Sequence, residues 1–244
     1  MKDVYKSAVL LMLLLSMLGC REKFVTIDEF SEEHDLFWNT ENGALIFEDR
    51  DLKGPGYGVK NFDLNLLETV KSEDLEKVKE IDINGTDLSN QVQFQFSLLP
   101  NLELLIISNN NLKILQGLHA TEVSEISLLE TPLEDISFIS ELAEAESIWI
   151  RTTESIDQLP DLSKLENIYE FGIQANPLKS LDGIERIPNR IRLVIGKVED
   201  ISALENIDPN KFFILMDERD QEAQPEIVQE IRDMGYEISA DWGL

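Results

Sequence analysis

From residue 75 onward the apolar residues recur in a fixed order. Leu75, Val78, Ile81 and Ile83 lead to a polar position at Thr86 and an apolar one at Leu88. Leu99, Leu102, Leu105, Ile107, Asn110 and Leu112 repeat that order, as do Ala120, Val123, Ile126, Leu128, Thr131 and Leu133. Leu142, Ala145, Ile148, Ile150 and Thr153 follow, with Ile156 displaced by about one position. Leu165, Ile168, Phe171, Ile173, Asn176 and Leu178 form a full copy, and Ile191, Leu193 and Val198 a shorter sixth. The closing apolar positions fall at 88, 112, 133, about 155, 178 and 198, so the gaps are 24, 21, 22, 23 and 20 residues. Two apolar residues separated by one, such as Ile81 and Ile83, put both side chains on one face of a strand. A chain of amphipathic helices would hold a 3.6 period throughout, but here the period switches to two inside every copy. One such strand cannot bury its own face; neighbours stacked upon it can. The pattern therefore predicts parallel strands, one per copy, with Ile81/Ile83, Leu105/Ile107, Ile126/Leu128 and Phe171/Ile173 in register.

The polar position after each strand has a job in that arrangement. A buried asparagine can pair its amide with backbone groups of the next copy, satisfying atoms that would otherwise be costly to bury. Asn110 and Asn176 are expected to do this; Thr86, Thr131 and Thr153 could do so only partly, so those copies should be held less firmly. Residues of about 75–215 resemble the leucine-rich-repeat family, whose repeats run about 20–29 residues. Leu133-Glu-Asp-Ile136, Leu178-Lys-Ser-Leu181 and Val198-Glu-Asp-Ile201, each leading to a further apolar residue three positions on, resemble the short repeats of bacterial internalin-like proteins. The resemblance implies an α/β fold: a leucine-rich-repeat solenoid with a curved parallel sheet, short helical or irregular convex segments, and N- and C-terminal caps.

The flanks fit caps. Residues 21–74 do not repeat; Trp38, Phe47, Tyr57 and Gly54-Pro55-Gly56 suggest short strands and a turn, and 65–78 could hold a helix. Phe212 to Met216 reads as a strand. Pro225 opens a helical stretch that Gly235 ends, a usual pairing of boundary residues, and 236–239 reads as a last strand. The expected divisions are 1–19, 20–74, 75–200 and 201–244.

The first nineteen residues look like an address. Lys2 and Lys6 precede an apolar run from Ala8 to Leu15, too short to span a bilayer as a mature helix. Ser16-Met17-Leu18-Gly19-Cys20 follows. This resembles the lipobox of bacterial lipoproteins, with Gly19 and Cys20 matching and Met17 and Leu18 departing from the usual residues. It implies removal of 1–19 and lipidation of Cys20, the only cysteine. Acyl chains contribute about 0.8 kcal/mol per buried methylene, so several on one residue anchor stably. The expected location is the cell envelope, at the outer membrane or cell surface; Arg21 is not the residue that retains lipoproteins at an inner membrane. An ordinary signal peptide or an uncleaved anchor is the alternative.

Charge and composition narrow the function. Against 48 Asp and Glu there are 21 Lys and Arg, a net charge of -27. Such a surface repels nucleic acid, whose binding requires cations to displace counterions from phosphates. His34 and His119 lie in separate regions without metal-ligand spacing. No Gly-rich phosphate loop, H-E-x-x-H or G-x-S-x-G stretch occurs. Asp161, Asp182 and Asp200 have no EF-hand spacing. No cofactor, metal or catalytic residue is expected.

What remains is a surface. Strand positions alternating with the buried pairs should line the concave face: Glu80 and Asp82, Leu104 and Ile106, Glu125 and Ser127, Ser147 and Trp149, Glu170 and Gly172, Arg190 and Arg192. Asn84, Ser108, Leu129, Arg151 and Gln174 come next. Leu104, Ile106, Leu129 and Trp149 stand out as apolar on a wet face, and Trp and Arg are enriched at binding hot spots. The candidate protein-binding site is Trp149 with Arg151, flanked by Leu129, Leu104 and Ile106 on one side and by Arg190 and Arg192 on the other. Gly172 leaves room that a partner side chain, or Trp149 itself, could fill. The expected partner is a protein, extracellular or host by the resemblance, with the membrane engaged only through lipid on Cys20. A structural envelope component without a ligand is the alternative, and an unrecognised enzyme a distant third.

Overall fold

A computed structural model describes residues 24–34, 36–47, 64–85, 88, 96–108, 110–115, 117–118 and 121–240. The segment 1–19, Cys20, Gly54-Pro55-Gly56, Tyr57, Thr86 and His119 lie outside them. The protein is mixed α/β, with a ten-stranded, mostly parallel sheet and few helices.

Ten strands make that sheet: β1 (Phe37–Asn39), β2 (Ala44–Phe47), β3 (Glu80–Asn84), β4 (Leu104–Ser108), β5 (Glu125–Thr131), β6 (Ser147–Thr152), β7 (Glu170–Gln174), β9 (Ile191–Ile195), β11 (Phe212–Leu215) and β12 (Ile238–Ser239). They lie side by side in chain order. Only β1 and β2 run antiparallel. Two further strands, β8 (Leu178–Ser180) and β10 (Val198–Asp200), form a separate parallel pair. The connecting segments are short 3-10 turns such as Ser137–Glu141, Ile184–Arg186 and Ser202–Asn206.

The register follows from the paired aliphatics. Ile81 aligns with Leu105, and Ile83 with Ile107. Leu105 and Ile107 align with Ile126 and Leu128, which continue through Ile148 and Ile150 to Phe171 and Ile173. All are at most 2 % exposed. Each fully buried aliphatic contributes about 1.5–3 kcal/mol relative to an exposed one, which no single strand could gain alone. The rows merge with the apolar residues of the connecting turns into one continuous core.

Two expectations fail in informative ways. The sixth copy is out of step: Leu193 and Ile195, not Ile191 and Leu193, align with Phe171 and Ile173. Val194 is apolar at an outward position, so either pair satisfies an alternating pattern, and pairing with β7 decides between them. The polar turn positions also differ. Asn176 is exposed. Asn110 turns its Oδ1 to the Leu112 N–H at 2.7 Å, and its buried Nδ2 finds no partner among the described residues. The link to the preceding copy comes from Asn111, whose Oδ1 accepts from the Leu88 N–H at 2.7 Å. Thr152 rather than Thr153 is the buried threonine; it donates to the Leu133 carbonyl at 3.1 Å.

The ends close the core differently. At the N-terminal end, α1 (Ile27–Glu33) starts with a capping box: Thr26 Oγ1 accepts from the Glu29 N–H, and the Glu29 carboxylate accepts from the Thr26 N–H. Its Ile27 N–H also donates to Asp74, in the single turn α2 (Ser72–Leu75), at 3.3 Å. The Lys77 ammonium beside Asp74 holds that carboxyl below its ordinary range, and the Ile27 N–H adds to this. The hairpin strand β2 then extends the parallel sheet, Leu45 and Phe47 aligning with Ile81 and Ile83. Thus the sheet begins inside the segment expected to be a non-repetitive cap. At the other end, α3 (Glu218–Ala223) and α4 (Pro225–Asp233) precede Gly235, whose φ of 92° is in the left-handed region. Tyr236 then buries its ring, and its hydroxyl reaches the Leu204 carbonyl at 2.9 Å.

Candidate functional site

The sheet face opposite the core carries three rows, one residue per strand. The first is Ala44, Glu80, Leu104, Glu125, Ser147, Glu170, Arg192 and Phe213. The second is Ile46, Asp82, Ile106, Ser127, Trp149, Gly172, Val194 and Leu215, and the third runs Asn84, Ser108, Leu129, Arg151 and Gln174. Of the seven candidate residues on the sheet, Leu104, Ile106, Leu129, Trp149, Arg151 and Arg192 lie on this face. Arg190 does not. It precedes β9 and is exposed, because the register of that strand puts Arg192 and Val194 in the rows.

The apolar residues cluster. Leu104 and Ile106 stand two apart on β4, and Leu129 lies on the adjacent strand one row further. All three are half-buried. Trp149 follows across Ser127. Its indole lies over Gly172: Cδ2 and Cε3 are 3.3 Å from the point that a Cβ at Gly172 would occupy, and Val194 Cβ is 3.4 Å from it on the far side. Trp149 itself therefore fills the room that glycine leaves, and it is half-buried in consequence.

The two arginines are held differently. Arg192 Nη1 is 3.2 Å from Glu170 Oε1, a carboxylate whose side chain is only 11 % exposed. That pair ties the arginine to its own sheet. Arg151 instead donates from Nε to Gln174 Oε1 at 2.7 Å, while Nη1 stands 3.4 Å from Glu130 Oε1. Gln174 is 9 % exposed. A charge-assisted N–H to carboxylate bond normally measures about 2.7–2.9 Å, so the glutamate contact is loose and the glutamine contact sets the guanidinium plane.

Glu130 reaches that place through a kink. The pairing of β5 with β6 slips between Leu129 and Thr131, and Glu130 has φ 53°. A non-glycine residue in the left-handed region is uncommon, and an extra residue in a strand re-aims the side chains around it. Glu130, Arg151 and Gln174 line a cavity of about 340 Å³ at the C-terminal ends of β6 and β7, together with Lys197, Asp217, Arg219 and Asp220. Asp217, Arg219 and Asp220 come from the segment after the last copy and Lys197 from the turn between β9 and β10, and no spacing in the sequence links them to Arg151. Burial, then the neighbouring Asp217, pushes the Asp220 carboxyl above its ordinary value.

Among the described residues no group of three or more His, Cys, Asp or Glu could hold a metal ion. No described helix is long and apolar enough to cross a membrane. His34 lies against Phe30, the two rings tilted by 53° with centroids 4.6 Å apart. A scan against protein-family models finds no match, and a search of curated proteins finds none either.

Proposed function

We propose that this chain is an exported, lipid-anchored leucine-rich-repeat solenoid that binds another protein through the sheet face opposite its core. The observation that carries the reading is the cluster of Leu104, Ile106 and Leu129, half-exposed on a preformed sheet, bordered by Trp149 and by an arginine whose plane is set by a buried glutamine. Apolar side chains at the centre of a rigid surface, with a fixed cation at its rim, are what an interface uses with little ordering of its own backbone. Support for the repeat assignment is the chain-order parallel pairing of strands at spacings near 22 residues. Support for the anchor is Cys20 after its apolar run.

Site-specific photo-crosslinkers at Ile106, Ser127 and Leu129 test the reading on intact cells, with Lys113 and Lys179 on connecting segments as controls. One discrete protein adduct from the sheet positions alone is the expected result; equal labelling from both sets, or none from the sheet, defeats it. Mass spectrometry of the mature N-terminus tests the anchor separately. It should find an acylated Cys20, and an unmodified or uncut N-terminus overturns that half.

A second reading is a structural envelope component without a specific ligand. The observation in its favour is that Trp149 is spent on covering Gly172. It predicts that no crosslink forms at Ile106 or Leu129.

A further inference from the structure

We propose that the cavity at the C-terminal ends of β6 and β7 is a carboxylate-binding site, with Arg151 as its anchor. The inference rests on the reading of this sheet face as an interface, and names the chemistry of the group that the partner would insert there.

The argument starts from how Arg151 is held. A guanidinium offers five N–H donors in a planar fork that matches a carboxylate two bonds at a time. In this chain the Nε–H is engaged by Gln174 at 2.7 Å, which fixes the plane of the fork. Among the described residues its terminal nitrogens meet only Glu130, at 3.4 Å. An arginine oriented through one edge and loosely met at the other is prepared for a better acceptor. Gln174 is itself built in: nine-tenths buried on the cavity wall, it spends its oxygen on Arg151.

Two more cations line the same cavity. Lys197 and Arg219 contact no carboxylate within ion-pair distance among the described residues. Three acids oppose them on the wall. Asp217 is occupied as the N-cap of α3, accepting from the Asp220 N–H at 2.7 Å. Burial and the neighbouring Asp217 push the Asp220 carboxyl above its ordinary value, while Arg219, Lys197 and Arg151 act on it in the opposite direction. Glu130 sits beside Arg151 on strained backbone, in the left-handed region, and is half-exposed. Such strain persists only where the surroundings impose it, and it concentrates at sites that bind. Glu130 is thus an internal carboxylate in a poor version of the bond that a ligand would make well. A cavity of about 340 Å³ admits a side chain or chain terminus, or a small free acid, and no folded domain.

The carboxylate could be an Asp or Glu side chain, a chain terminus or a small free acid, and three probes separate these. They are acetyl-Ala-Glu-Ala-amide, acetyl-Ala-Ala-Ala with a free carboxyl end, and succinate; acetyl-Ala-Gln-Ala-amide is the uncharged control. Titrated into the purified full-length protein under ¹⁵N NMR, at least one acidic probe should shift the Arg151 Nε–H resonance saturably, and the glutamine control should not. Arg151→Lys, at a half-exposed position that leaves the fold intact, should weaken that binding at least tenfold; Gln174→Leu should weaken it several-fold, and Lys113→Gln, on a connecting segment, should leave it unchanged. No shift with any acidic probe, or equal binding by Arg151→Lys, overturns the proposal. The crosslinks at Ile106 and Leu129 report on the wider interface: if they form while no acidic probe binds, the interface stands and the carboxylate site alone falls.

Discussion

The two halves of the outward sheet face obey different rules. On β3, β4 and β5 the middle row is Asp82, Ile106 and Ser127, all half-exposed, as alternation requires of a strand covered on one side. On β7, β9 and β11 the same row is Gly172, Val194 and Leu215, and all are buried, Val194 at 0 % and Leu215 at 1 %. Trp149 on β6 marks the boundary, with its ring laid over Gly172 toward Val194. An outward residue remains wet only where nothing crosses it, and in the second half the protein itself does the crossing. The first half is therefore where a partner finds apolar surface still uncovered.

Substitutions along that row can break the comparison. Leu215→Ala should cost about 2–5 kcal/mol, as for any buried leucine, whereas Ile106→Ala should cost about 1 kcal/mol or less. Urea unfolding of the two variants measures the difference, and equal losses would mean that the halves are alike. Next in size is Gly172→Val. Its methyl groups must displace the Trp149 ring, costing about 1–3 kcal/mol and changing the tryptophan emission, while Ser127→Val on the open side should stay within about 0.5 kcal/mol.

The buried threonines sharpen the contrast where the halves meet. Thr152 donates to the Leu133 carbonyl and accepts from the Glu154 N–H, both at 3.1 Å. Thr131, equally buried, has a hydroxyl with no partner among the described residues. Thr152→Val should lower stability by about 1–2 kcal/mol, and Thr131→Val should leave it unchanged or raise it by up to about 1 kcal/mol. Thermal melts of the pair decide, and a large loss at Thr131 would reveal a hidden partner there.

The smallest effect concerns pH and the N-terminal end, far from the covered half. Asp74 has its carboxyl held below the ordinary value by Lys77 and by the Ile27 N–H. Its folded pKa is thus lower than its unfolded one, so its contribution is fully present above the unfolded value and disappears as pH falls through the folded one. The urea midpoint should fall between pH 7 and pH 3, and Asp74→Asn should flatten part of that slope. An unchanged slope would remove Asp74 from the account.

What could be read from the sequence follows the same division. The inward pairs were legible because each is an aliphatic doublet flanked by polar residues, as at Glu80-Ile81-Asp82-Ile83-Asn84. Pairing register was lost at β9, where Val194 is outward yet apolar and erases the alternation. β2 was not recognised as part of the parallel sheet, since Ala44-Leu45-Ile46-Phe47 is a continuous apolar run with no period of two. Trp149, Arg151 and the Leu104–Ile106–Leu129 cluster could be placed on one face by counting, but Arg190 was carried along by the slipped register. Gln174 was countable, yet its hold on Arg151 depends on side-chain geometry. Arg219 and Asp220 reach the cavity only because the chain turns back after β11, and Lys197 reaches it from the turn between β9 and β10.

The order of strands has a consequence for how the chain comes to be. The leading hairpin is made from neighbouring residues, and each later strand of the main sheet finds its template already laid down by the stretch before it. A polypeptide emerging from its N-terminus first can therefore zip up behind itself, adding one rung at a time, with only the newest edge raw and no rung waiting for a distant segment.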